Sequence, residues 1–163
     1  DGWRYLEAAP DHWYNGTEPN NSWGCIGTNI DGADSYEIGF GQQNTLDIVN
    51  GCSEVTAASR CLEAEISGYD DWYLPSIAEL YEMYLQFQLY GLGGFDLSNG
   101  NNGYYWSSTE YSSAGAMFIE FGREDLAYED IGDDNRSHSE EFFRPLRYVS
   151  SQGDNYIADD PCC

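Results

Sequence analysis

Residues 68–84, GYDDWYLPSIAELYEMY, constrain this chain more than any other stretch. Residues 70–74 are aromatic and extended in character, and Pro75 biases Leu74 away from helical backbone angles. Ser76 stands three residues before Glu79, the spacing at which a hydroxyl and a carboxylate cap a helix start reciprocally. Ile77, Leu80, Tyr81 and Tyr84 follow at i, i+3, i+4 and i+7, so one face of the resulting helix is apolar and aromatic. The segment therefore reads as a short strand, a sharp corner and a capped amphipathic helix. It carries no catalytic motif, and its expected role is to build the core.

Charge limits the partners. The chain of 163 residues holds 29 acidic residues against six Arg, has no Lys, and carries a formal net charge of -23. Nucleic acid, anionic lipid and sulfated glycans would all be repelled by such a molecule. Without Lys there is no Schiff-base chemistry on a lysine and no P-loop. No apolar run approaches the ~18 residues that span a bilayer, so no membrane insertion is expected. The start at Asp1 rather than Met fits a processed N-terminus. Five Cys, none in a C-x-x-C pair, suit an oxidising extracellular setting better than a zinc site. Their odd number leaves a thiol free or bridged to another molecule, and spacing alone does not give their connectivity.

Read in order, residues 1–9 alternate bulky and polar side chains as a first strand, and residues 10–35 form a long irregular region rich in Pro, Asn, Gly and Asp. Residues 38–45, IGFGQQNT, read as a Gly-rich turn that lacks the third glycine and the flanking pattern of a dinucleotide site. Ser53 is placed to cap a helix over residues 53–66, ahead of the second helix that begins after Ser76. A loop over residues 91–103 ends the helical period, and residues 104–108, 115–122 and 141–149 read as strands, with Pro145 marking an edge, a bulge or a strand end. Helices segregated from a run of antiparallel strands make an α+β domain over residues 1–149: two helices on a small sheet, with long irregular loops. An acidic, Cys-terminated tail occupies residues 150–163 and is expected to be tied to the domain or to a neighbouring subunit.

WRYLEAAP, WGC, IGFGQQNT, the Cys52 region, GYDDWYLPSIAELYEMY, GLGGF, YYWSSTEYSS and FFRPLRYV occur in that order across residues 1–149. In this the chain resembles the bacterial family typified by the C-terminal domain of the Legionella collagen-like adhesin, with related domains in Fibrobacter. The resemblance implies a C-type-lectin-like fold and a secreted or surface-exposed, non-enzymatic binding module, often carried on adhesins and sometimes trimeric. It also implies a bridge between Cys25 and Cys52, which lie in family-like motifs on either side of the Gly-rich turn. Cys61, Cys162 and Cys163 would remain for a staple between tail and helix and for a neighbouring subunit. The sulfated glycosaminoglycan ligand associated with the Legionella domain does not suit a chain of this charge. Glu18-Pro19-Asn20 spells a tripeptide that holds calcium and sugar in some C-type lectins, but it stands too early in the chain for that role.

Four groups of residues are candidate sites. Asp125, Glu129, Asp130, Asp133, Asp134 and Asn135 offer hard oxygen ligands for calcium, with Asp130, Asp133 and Asp134 at the centre; a solvated acidic loop is the alternative. Tyr105, Tyr111, Asn101 and Asn102 form a Tyr- and Asn-rich contact surface of paratope-like composition, while Trp106, on the other face of its strand from Tyr105, is expected in the core. Arg144 and Arg147 are expected to pair with carboxylates. His12 and His138 lie far apart with no nucleophile pattern near them. The functional expectation is an extracellular or cell-surface adhesion module that associates with copies of itself, as a filament subunit or oligomeric adhesin head. The alternative is a domain that recognises neutral surface glycans through residues 99–140.

Overall fold

The computed structural model describes residues 3–87, 90–98, 103–128, 133–137 and 141–150, with the backbone alone for Trp3, Arg4 and Ser150. Their order is β1 (Trp3–Ala8), α1 (Gly41–Gly51), α2 (Ala57–Leu62), α3 (Ile77–Gln86), β2 (Tyr104–Glu110), β3 (Gly115–Glu120), β4 (Asp133–Asn135) and β5 (Leu146–Ser150). The strands form two antiparallel sheets, β1–β5 and β2–β3–β4. The class is therefore α+β, as expected, with three described helices rather than two. None of these helices is long and apolar enough to cross a membrane.

The Pro75 corner and the helix after it form as the sequence dictates. Ser76 Oγ accepts from Glu79 N, and Glu79 Oε2 accepts from Ser76 N at 2.8 Å, closing the capping box of α3. Ile77, Leu80, Met83 and Tyr84 are buried against Tyr105, Ile119 and Phe121 of the three-stranded sheet and the segment after it. On the opposite side of β2, Trp106 packs with Trp23, Leu74 and Phe143. The strand is thus covered on both faces. It is joined to the chain before β5, where Trp106 N donates to Phe142 O and Phe142 N to Tyr104 O. β5 begins directly after Pro145, and the short strand expected before Pro75 is reduced to one bridge, in which Tyr73 and Leu146 exchange backbone hydrogen bonds that tie the stretch before α3 to β5.

Two expectations in the first half fail. Residues 38–45 are not simply a Gly-rich turn, because α1 starts at Gly41. Its buried face is Gly41, Asn44, Thr45 and Ile48, so no apolar stripe announces it, and Phe40 at its N-cap supplies no side-chain bond. Tertiary polar contacts hold it instead: Leu74 N donates to Thr45 Oγ1 at 3.0 Å, and Asn44 Nδ2 donates to Ser35 O at 2.7 Å. The second helix is capped by Thr56, not Ser53, and spans only Ala57–Leu62. Ser59 occupies the position usually taken by Glu or Gln and completes the box.

Glu79 does more than cap. Its carboxylate also accepts from Gly39 N at 2.8 Å and lies 3.3 Å from the Tyr148 hydroxyl, with no cation among these partners. Burial raises its pKa above the ordinary value against the pull of these donors, and burial does the same to Glu18. A raised carboxyl binds its proton more tightly in the folded state, so its contribution to stability is full below the unfolded value near 4.5 and is lost as pH rises through the folded value. The melting temperature is accordingly expected to rise as pH falls from 7.5 to 5, which also relieves the repulsion of the -23 charge. Glu79→Gln should flatten that rise in thermal melts across this range; an identical pH profile would contradict the assignment.

Cys25 and Cys52 are bridged, across a separation of 27 residues. The bond fastens the irregular region to the C-terminus of α1, where Cys52 is the cap. Closing a loop of that length contributes about 3–4 kcal/mol on the chain-entropy estimate. Reduction is therefore expected to lower the melting temperature by about 10 °C, read by calorimetry with and without reductant. Cys61 is a correction to the expected staple. Its thiol is free and fully buried in the cluster around Trp23 and Ile48, and burial raises its pKa. Cys162, Cys163 and the tail lie outside the described residues.

Candidate functional site

Residues from three separate segments meet on one loop-built face. Glu110 N donates to Ala33 O, which sets Tyr111 beside the loop of Tyr36. Ala78 N donates to Tyr36 O, which sets that loop on α3, where Tyr81 packs on Tyr128. Tyr36 comes from the loop before α1, Tyr111 from the turn between β2 and β3, and Tyr128 from the chain after β3; all three rings are exposed. The Tyr36 phenol is raised in pKa, first by partial burial and then by the nearby Tyr111, Tyr128, Asp34 and Asp133. Tyr128 is raised likewise by partial burial, with Glu37 beside it. Tyr128 also packs edge-on to Tyr81 of α3 at 5.2 Å, which anchors its ring to the helix. Ile38 and Phe40, exposed in the same loop as Tyr36, extend its apolar character.

This face stands on a rigid foundation. Arg136 is fully buried, with its guanidinium 2.7 Å from the Glu110 carboxylate and 4.3 Å from the centre of the Trp23 ring. It donates to the carbonyls of Thr28, Ser112 and Gly115. One cation thereby ties the β2–β3 turn, which carries Tyr111, to the loop that leads to Tyr36. Glu110 Oε2 accepts from Ile30 N at 2.7 Å, and Thr109 Oγ1 donates to Ser35 O at 3.0 Å, stitching that loop along β2. Asp133 is held against the turn: a Cβ on Gly115 would come within 2.5 Å of its Oδ2.

No family model matches the sequence, and no curated protein matches it.

The structure brings some expected residues together and separates others. Tyr111 is exposed, as expected. Tyr105 is a correction: it is fully buried, its ring packs on Phe95, Phe121 and Phe142, and its hydroxyl accepts from Asp96 N at 2.8 Å. Alternation does put it opposite Trp106, but both faces of β2 are covered, so neither ring reaches solvent. Asp133 and Asp134 are neighbours on β4 and point to opposite sides. Asn101, Asn102 and Asp130 lie outside the described residues. Among the described residues, the one cluster with metal-ligand spacing is Cys25, Cys52 and Glu54, and its two sulfurs are bonded to each other.

Two further cations, Arg144 and Arg147, serve the core. Arg144 makes a two-pronged pair with Glu18, at 2.8 and 2.6 Å, and donates to the Gly93 and Gly94 carbonyls under the Phe95 ring. Glu18 of the Glu18-Pro19-Asn20 tripeptide is thus occupied inside the fold. Arg147 pairs with Glu7 and Asp71 over the Tyr69 ring. A cavity of about 290 Å³ beside Arg144 borders Gly93, Gly94 and Phe95, but the Arg144 donors face Glu18 and the glycine carbonyls. Tyr36 and Tyr128 were not singled out by the sequence. The available signal was the exposed run Tyr36-Glu37-Ile38-Gly39-Phe40, whose large side chains have no periodic partner.

Proposed function

We propose that this protein is a secreted, non-enzymatic adhesion module of C-type-lectin-like fold, displayed at the cell surface as an oligomeric adhesin head or filament subunit. The observation that carries the reading is the face of Tyr36, Tyr111 and Tyr128. Large amphipathic rings stand in solvent: a buried Arg136 and Glu110 tie the turn of Tyr111 to the loop that leads to Tyr36, and Tyr128 packs on Tyr81 of α3. Tyrosine gives wide contact area at small conformational cost, and a pre-organised platform loses little freedom on binding. The Cys25–Cys52 bridge suits an oxidising compartment.

Copies of the chain would join elsewhere. The structure pairs β1 with β5, so these two strands, each a candidate edge for pairing between subunits, use one side of each on the other. The outer side of β1 is the edge suited to adding a strand from a neighbour. Size-exclusion chromatography and electron microscopy, with and without reductant, test assembly: oligomers or fibres are expected, and a strict monomer at physiological salt would sink that half of the reading. Recognition of a neutral surface glycan is the second reading, favoured by phenol hydroxyls standing beside Asp34 and Asp133 as donors and acceptors for sugar hydroxyls. A neutral-glycan array that stays blank with a folded protein would count against it.

A further inference from the structure

We propose that the Tyr36–Tyr111–Tyr128 face docks a segment of a partner protein rich in Lys and Arg. The inference rests on the reading of this face as the contact surface and names the chemistry of what it contacts.

The first step excludes anions. The chain has six Arg and no Lys. Each Arg whose side chain is described sits opposite a carboxylate: Arg136 with Glu110 at 2.7 Å, Arg144 with Glu18 at 2.6 Å, Arg147 with Asp71 at 2.7 Å, Arg123 with Asp125 at 3.2 Å and Arg60 with Glu63 at 3.7 Å. No described side chain offers an uncommitted positive charge to a phosphate, sulfate or carboxylate of a partner. A second copy brings the same charge of -23 to the encounter, which disfavours the acidic tyrosine face as the surface joining two copies.

The second step comes from how this protein holds its own cations. Each buried guanidinium lies over an aromatic ring and against a carboxylate. Arg136 has Trp23 and Glu110, Arg144 has Phe95 and Glu18, and Arg147 has Tyr69 with Glu7 and Asp71. The exposed face presents the same two ingredients, π faces and carboxylates. Asp34 and Glu37 stand exposed on either side of Tyr36 in one loop, and Asp133 lies against the turn that carries Tyr111. An incoming guanidinium or ammonium gains from ring quadrupole and carboxylate together, whereas a neutral sugar gains nothing from the net field. The charge of the whole molecule adds steering at long range, so association should be fast and salt-sensitive.

The test is fluorescence anisotropy at 150 mM NaCl on the full chain. The probe is a labelled peptide alternating Arg and Lys with Gly and Ser, with an acidic peptide of equal length as its control. Saturable binding of the basic peptide alone is expected. The double variant Tyr36→Ser/Tyr111→Ser leaves the net charge unchanged and should weaken binding at least tenfold. Asp133→Asn should weaken it several-fold, while Glu63→Gln, an equal charge change on an exposed residue just after α2, should leave it as it was. Melting temperatures of all variants check the fold. No binding of the basic peptide overturns the proposal, as does equal weakening by Asp133→Asn and Glu63→Gln, which would mean diffuse attraction only. If the double tyrosine variant loses neutral-glycan binding yet binds the peptide unchanged, the face stands as the contact surface and the basic partner falls. If it loses neither, both readings fall.

Discussion

Replacing Arg136 by Met is expected to destabilise the protein by about 3–5 kcal/mol, the usual cost of removing one partner from a buried ion pair. The guanidinium is fully buried and faces a Glu110 carboxylate that is only 4% exposed. Without it, Glu110 keeps one backbone donor, Ile30 N, but loses its counter-charge, and the carbonyls of Thr28, Ser112 and Gly115 lose a shared donor. Burial lowers the Arg136 pKa while Glu110 supports the charge, so the pair holds through mutual attraction against a real desolvation cost. The loss therefore comes mainly from the stranded carboxylate. Arg136→Met/Glu110→Gln should be less damaging than the single change, because no buried charge is left behind. Urea unfolding of the two variants measures this directly. A single variant costing under about 1 kcal/mol would assign the pair no structural role, since that is the range of exposed pairs. Where the single variant still folds, the Tyr111 turn should be the part that loosens.

Gly41→Ala carries the second large effect, and its sign has to be argued. Gly41 is the first residue of α1 and has ordinary helical angles, so helix propensity alone would favour alanine by about 1 kcal/mol. Packing decides the other way. A Cβ there would meet the Glu79 carboxylate, and would lie 2.7 Å from Ser76 N and 2.8 Å from Tyr73 Cε2. Two of these neighbours belong to the capping box of α3 and the third is a fully buried ring, so none can swing away as a flexible chain end would. Overpacking of a rigid site costs about 1–3 kcal/mol or more, and disturbing a cap adds about 1 kcal/mol. The net expectation is a loss of about 1–3 kcal/mol from these terms. Gly51→Ala at the other end of the same helix is the control, because its Cβ meets only the Ile30 side chain, with Cδ1 and Cγ2 each at 3.2 Å. Equal effects of the two substitutions in denaturant melts would refute the steric account.

These two glycines mark the limit of what the chain discloses by itself. Local chemistry was readable: Pro75, the Ser76–Glu79 box and the apolar spacing from Ile77 place α3, and Pro145 marks where β5 begins. Contacts across long separations were not. Helix α1 buries Asn44 and Thr45 against backbone from elsewhere in the chain, so its sequence shows a turn-like composition and no stripe. Arginine was expected to pair with carboxylates, but with 29 acids in the chain nothing local indicates that Arg144 takes Glu18 and Arg136 takes Glu110. The candidate site has the same character. Tyr111 was identifiable from its Ser-rich surroundings, whereas Tyr36 and Tyr128 join it only through the folding of three segments. Tyr105 shows the converse error: strand alternation gives the side of a sheet a residue faces and does not say whether that side is covered.

The central claim is that contact is made by this tyrosine face, with the buried charge pairs serving as its support. Hydroxyl-radical footprinting tests it most directly, comparing the isolated chain with the same chain saturated with the basic peptide. The account predicts reduced labelling at Tyr36, Tyr111 and Tyr128 in the peptide-bound chain, with the core tyrosines Tyr73 and Tyr105 protected in both states. Undiminished labelling of all three exposed tyrosines in the bound state would contradict it.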